Sequence, residues 1–99
     1  MAILYKQGCA GDLSPIAAKG EGRIAQRCWD DHQKDLVVTA HRNGDHMMGS
    51  LHNHGLAFDF RGQNWMTVGK LEKILGKDWQ VIYYPHSGHY HAEYDPVPF

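Results

Sequence analysis

The segment LAFDFR, Leu56 to Arg61, alternates apolar and polar side chains with a period of two, a pattern that only an extended strand sorts onto two faces. Leu56, Phe58 and Phe60 fall on one face, and Ala57, Asp59 and Arg61 on the other. The pattern demands a sheet, and the aspartate between two phenylalanines demands a partner, because an unpaired carboxylate is costly to bury in so apolar a strand. A salt bridge or a cap can supply that partner, and so can a metal ion.

The rest of the chain reads as elements that complete such a sheet. LSPIAAKGEGRIAQRCWDDHQ predicts a helix, with Ser14 as its N-cap and Pro15 at its first position. Ile16, Gly20, Ile24 and Cys28 recur every four residues with Ala17, Ala25 and Trp29 beside them, an apolar helical stripe. Gly20 and Gly22 each weaken a helix by about 1 kcal/mol, so its first half is expected to fray. DLVVTAH (Asp35 to His41) is β-branched and reads as a buried strand, and RNGDHMMGS as a loop. NWMTVGKLEKILGKD predicts a helix with Met66, Val68, Leu71, Ile74 and Leu75 inward and Gly76 as its stop. WQVIYY is a strand, PHSG a turn, and HYHAEYD a further strand before a Pro-rich tail. The expected fold class is α+β, a small antiparallel sheet with two helices, in a single domain over residues 1–99.

Composition narrows the function classes. A formal net charge of −1, with ten basic residues scattered along the chain, does not favour nucleic-acid binding. No stretch approaches the roughly 20 apolar residues that cross a bilayer, so no membrane insertion is expected. The first residues, MAILYK, are too short an apolar run for a signal peptide. Synthesis in the cytoplasm is therefore expected. Nothing specifies an oligomer, and a monomer is expected. Cys9 and Cys28 fit neither a zinc ribbon nor a disulfide framework and read as reduced thiols, Cys28 on a buried helix face.

Histidine is the unusual residue, with eight in 99 positions and seven of them after residue 40. His89 and His91 are two apart on a strand, so they share a face, and Tyr90 points into the core. His52 and Asp59 are an odd number of residues apart and converge only if the chain turns between them, which Gly55 permits. Two imidazoles and a carboxylate are a ligand set of catalytic zinc, which keeps a fourth position open. The literal HNH at residues 52–54 is not the nuclease signature, whose residues are spread over a longer stretch. His32 is placed to interact with a helix C-terminus. His41, His46 and His54 are rim residues of the loop.

Ser50, His52, Gly55, Ala57 and Asp59, with HSGHYH downstream, resemble the two zinc motifs of the D-alanyl-D-alanine carboxypeptidases. These belong to the LAS metallopeptidases, which also include lysostaphin-like enzymes and the hedgehog amino-terminal domain. The resemblance runs from about Leu36 to Asp95. Lysostaphin-type enzymes have fewer residues between histidine and aspartate than the six found here, and Gly88 stands where some relatives have an acidic residue. His86, His89 and His91 look like the carboxypeptidase and murein endopeptidase branches, where histidines do the acid/base work.

The resemblance implies a LAS/hedgehog-like core and a zinc peptidase, of the phage endolysin kind, that is released to the cell wall by a partner membrane protein and hydrolyses peptidoglycan peptides containing D-amino acids. It implies His52, Asp59 and His91 as zinc ligands, His86 and His89 as acid/base residues, and Arg42 of TAHR as a contact to the substrate carbonyl or carboxylate. Ser50 and His41 are carried as substrate-side residues. The rival implication is a zinc-binding or virion structural module of the same fold that no longer cleaves.

Overall fold

The computed structural model describes residues 2–7, 9, 11–41 and 55–96. Two helices and five strands follow in the order β1 (Ile3–Tyr5), α1 (Pro15–His32), β2 (Leu36–Ala40), β3 (Ala57–Arg61), α2 (Val68–Leu75), β4 (Trp79–Tyr84) and β5 (His89–Tyr94). The strands form one sheet in the order β1-β2-β3-β5-β4. The class is α+β, as the sequence implies, but the sheet is mixed rather than antiparallel, because β1 runs parallel to β2. A three-residue strand carries too few side chains to show a period, which is why β1 is invisible in the sequence.

Helix α1 starts where Ser14 accepts a hydrogen bond from the Ala17 N–H, with Pro15 at its first position. Its buried residues are Ala17, Gly20, Glu21, Ile24, Ala25 and Cys28. Ile16 and Trp29, expected in the stripe, are 41% and 38% exposed. Gly20 does not fray the helix. A Cβ there would stand 2.6 Å from the Trp79 ring, so the glycine is what lets α1 lie against β4. Helix α2 begins at Thr67, whose hydroxyl accepts from the Lys70 N–H, and ends at Gly76, where φ is 96°.

The core lies between the helices and one face of the sheet. Leu36, Val38, Phe58, Phe60, Val81, Tyr90 and Ala92 meet Ile24, Cys28, Leu71 and Leu75 there. Burial pushes the Cys28 thiol up to about 11, which keeps it protonated. Tyr90 points inward as expected, and its hydroxyl donates to the Met66 carbonyl at 2.9 Å. Among the described residues, no helix is long and apolar enough to cross a membrane.

Two backbone irregularities aim residues at the other face. Gly55 has a φ of 71°, and a Cβ on it would meet the Asp12 carbonyl oxygen at 2.9 Å. The chain therefore turns into β3 where the sequence places a turn. In β2, Val38 pairs with Phe60 but Ala40 pairs with Asp59, so one extra residue interrupts the ladder. That bulge resets the alternation at the end of β2, beside Asp59.

Candidate metal centre

The helix-free face of the sheet is set by register. Asp59 on β3 sits opposite His91 on β5, and Arg61 sits opposite His89. On the other side of β5, edge strand β4 places Ile82 opposite His91 and Tyr84 opposite His89. Paired residues share a face, and Phe58, Phe60, Tyr90 and Ala92 take the helix side. The polar residues of FDF and HYH are thereby brought together by a single pairing.

Asp59 and His91 meet directly. His91 Nδ1 lies 2.8 Å from Asp59 Oδ1, and its Nε2 lies 2.7 Å from Glu93 Oε1. The His91, Asp59 and Glu93 side chains are only 12%, 15% and 19% exposed. Burial alone would pull the imidazole below its ordinary value, but the hydrogen bonds and charges of Asp59 and Glu93 outweigh it and raise the pKa. One partner of Asp59 is thus an imidazole.

The donor chemistry fits a zinc ion in part. An imidazole nitrogen and a carboxylate oxygen face one another, and both are zinc donors. A carboxylate on the far ring nitrogen is the usual orienting group behind a metal-bound histidine, and Glu93 occupies that place. Among the described residues, no group of three or more His, Cys, Asp or Glu side chains is arranged to hold a metal ion. The third expected ligand, His52, lies outside the described residues, as do Arg42 and Ser50 and the loop histidines His46 and His54.

His89 and His86 are placed differently. A cavity of about 380 Å³ opens beside Asp59, lined by Lys6, Thr39, Asp59, Arg61, Ser87 and His89. His86 is exposed on the turn between β4 and β5 and is not among the residues lining that cavity. His32 ends α1, as expected, with its ring stacked on Trp65 at 4.7 Å between centroids.

His41, expected on the rim, is buried under α1. Its Nε2 lies 2.7 Å from Glu21 Oε2, and its Nδ1 lies 3.2 Å from the Gly11 carbonyl oxygen. The Tyr5 hydroxyl donates to the other Glu21 oxygen at 2.8 Å. The bulge in β2 is the cause: with Ala40 moved to the Asp59 face, the next residue turns toward the helix.

Sequence reasoning missed Glu93, Lys6 and Glu21. Glu93 was open to discovery, since it follows His91 by two and shares its face. Lys6 and Glu21 come to their places through long-range packing of β1 and α1 on β2, which no local pattern reports. No family model matches the chain, and no curated protein or solved structure matches it either. The likeness to the zinc peptidases therefore stands on the residue pattern quoted above.

Proposed function

We propose that the chain is a zinc-dependent peptidase of the LAS type that hydrolyses amide bonds in peptidoglycan peptides containing D-amino acids. The observation that carries this reading is the cross-strand approach of Asp59 and His91, an oxygen and a nitrogen donor 2.8 Å apart with a carboxylate behind the ring. Asp59 and His91 would hold the ion together with His52. Zinc held there supplies a Lewis acid for the amide carbonyl and makes water nucleophilic near neutral pH.

The remaining chemistry falls to named side chains. Glu93, 2.7 Å from Nε2, orients the His91 ring, and with the proton held on that nitrogen Nδ1 would be the atom offered to the ion. His89 shares a sheet face with His91 and lines the cavity against Asp59, so it is the best-placed group to carry a proton from water to the leaving amine. His86 is the second candidate for that work, and Arg42 is retained for the carbonyl oxygen as it gains charge.

A second reading is favoured by one observation. Both nitrogens of His91 already meet carboxylates, so Asp59–His91–Glu93 also reads as a structural ion-pair chain, suited to a non-cleaving or virion structural module of the same fold. Digestion of purified cell wall by the zinc-loaded and chelator-treated protein separates the two. Zinc-dependent release of wall peptides is expected, and an inert zinc-loaded protein would remove the peptidase reading.

A further inference from the structure

Helices α1 and α2 frame a second cavity of about 380 Å³ on the helix side of the sheet, away from the Asp59–His91 face. Arg27 and His32 reach it from α1, Lys70, Lys73 and Ile74 from α2, and Trp65 from the segment before α2. Its volume falls in the range of about 300–1,000 Å³ usual for small-molecule sites.

The three cations of this cavity are poorly compensated. Arg27 faces Asp31, itself in the cavity wall, at 3.5 Å. Lys70 donates to the Trp65 carbonyl oxygen at 3.4 Å, a neutral acceptor. Lys73 has no carboxylate within ion-pair distance among the described residues. Arg23, one turn before Arg27, is instead tied to the Ile74 and Leu75 carbonyls that end α2. Three cations against one carboxylate leave two positive charges round one recess. Lys70 and Lys73 are also three apart on one helix, where like charges repel, so an anion between them relieves that repulsion.

Chemistry narrows the anion. A carboxylate is matched by the planar fork of an arginine, and the one guanidinium here already faces Asp31. The two lysines offer point charges instead, which suit the doubly charged head of a phosphate monoester. The rest of the wall is flat and apolar. The His32 and Trp65 rings are parallel to within 10° at 4.7 Å between centroids, and Ile74 lies in the same wall. A parallel stack is extended best by a further flat ring, and a nucleobase offers one where a bare sugar does not.

We propose that this cavity binds a nucleoside monophosphate, with Lys70 and Lys73 on the phosphate and the stacked His32 and Trp65 rings against the base. Such a site neither requires nor excludes the peptidase activity proposed above. The probes are AMP, adenosine and ribose 5-phosphate, each titrated into the whole chain by calorimetry and by NMR.

The wild type is expected to bind AMP at least about 10-fold more tightly than adenosine, the scale of one charge-assisted hydrogen bond. It is expected to bind AMP about 10-fold more tightly than ribose 5-phosphate, the scale of one base–aromatic stack. The Trp65 indole N–H resonance should move with AMP. The Lys70→Gln/Lys73→Gln double variant is expected to bind AMP no better than adenosine, while Lys19→Gln, on α1 outside the cavity, keeps the preference. Both replaced lysines of the double variant are exposed, and a melting curve checks that it folds. Should it not fold, the wild-type ratios among the three probes and the Trp65 resonance decide the matter alone. AMP binding no tighter than adenosine or ribose 5-phosphate, binding that leaves the Trp65 resonance unmoved, or a preference that survives in the folded double variant overturns the site.

Discussion

Two histidine–carboxylate pairs stand on opposite sides of the same sheet, and their bond lengths hardly differ. His91 meets Asp59 at 2.8 Å, and His41 meets Glu21 at 2.7 Å. Their surroundings separate them. Glu21, with a side chain 4% exposed, receives the Tyr5 hydroxyl on its other oxygen, and His41 faces a backbone carbonyl at its second nitrogen. Burial, with help from Glu21, holds the Tyr5 phenol up at about 12, so that proton stays where the network needs it. Asp59 borders a cavity with cations and a second histidine, and His91 has another carboxylate behind it. A histidine–carboxylate distance therefore says little on its own; the third partner and the neighbouring space say which pair ties the fold and which can take a ligand.

The largest effect should fall on chemistry at the cavity side. His89→Ala is expected to retain metal and to lose at least about 100-fold in hydrolysis, the usual scale for an acid/base group. His86→Ala is expected to lose less, because its side chain is exposed on the turn and does not line the cavity. Kinetics and metal analysis on the same two proteins decide this, and a reversed order would hand the proton-transfer role to His86.

Stability should respond at the buried pair. Glu21→Ala leaves the His41 ring and the Tyr5 hydroxyl without their shared acceptor, at a cost of about 3 kcal/mol. For a chain of this size the melting temperature should fall by more than about 10 °C. A melt within a degree or two of wild type would show that this pair ties nothing.

The same pair carries a pH signature. Burial lowers the His41 pKa, but the Glu21 hydrogen bond and charge more than offset it, so the folded value stands above 6.5. A raised histidine stabilises the fold fully below its unfolded pKa, and that contribution is lost as pH rises through the folded value. The stability gap between wild type and Glu21→Gln should be widest below about pH 6.5 and should narrow above it. Denaturant melts of both proteins at several pH values measure the gap, and a gap that widens with pH would contradict the assignment.

The smallest expected effect concerns how α1 reaches the sheet. Gly20→Ala gains about 1 kcal/mol of helix propensity but drives a methyl into the Trp79 ring, which is wedged near Phe58 and Tyr94. A net loss of about 1 kcal/mol is expected in a denaturant melt. A gain in stability would mean that Trp79 yields easily.

Much of the β3–β5 half was legible, and its limits are physical. Alternation placed Asp59 and His91 each on the polar side of a strand, and the register then set them opposite one another. The Ser14 cap, the turn at Gly55 and the inward Tyr90 were readable because each depends on neighbours within a few residues. His41 was not, because one extra residue in β2 reverses the face on which it falls. Gly20 looked like a weakness because the ring it accommodates is far away in sequence. His52, the third candidate ligand, and Arg42 fall outside the described residues and stand on the residue pattern.

The central claim is that the Asp59–His91 pair holds zinc and the Glu21–His41 pair does not. Equilibrium dialysis against buffered zinc, run on wild type, Asp59→Asn and Glu21→Gln, tests it most directly, with circular dichroism confirming that each is folded. The wild type and Glu21→Gln should each take up about one zinc per chain, and Asp59→Asn should bind at least about 100-fold more weakly. Undiminished zinc in folded Asp59→Asn, or none in the wild type, would contradict the account.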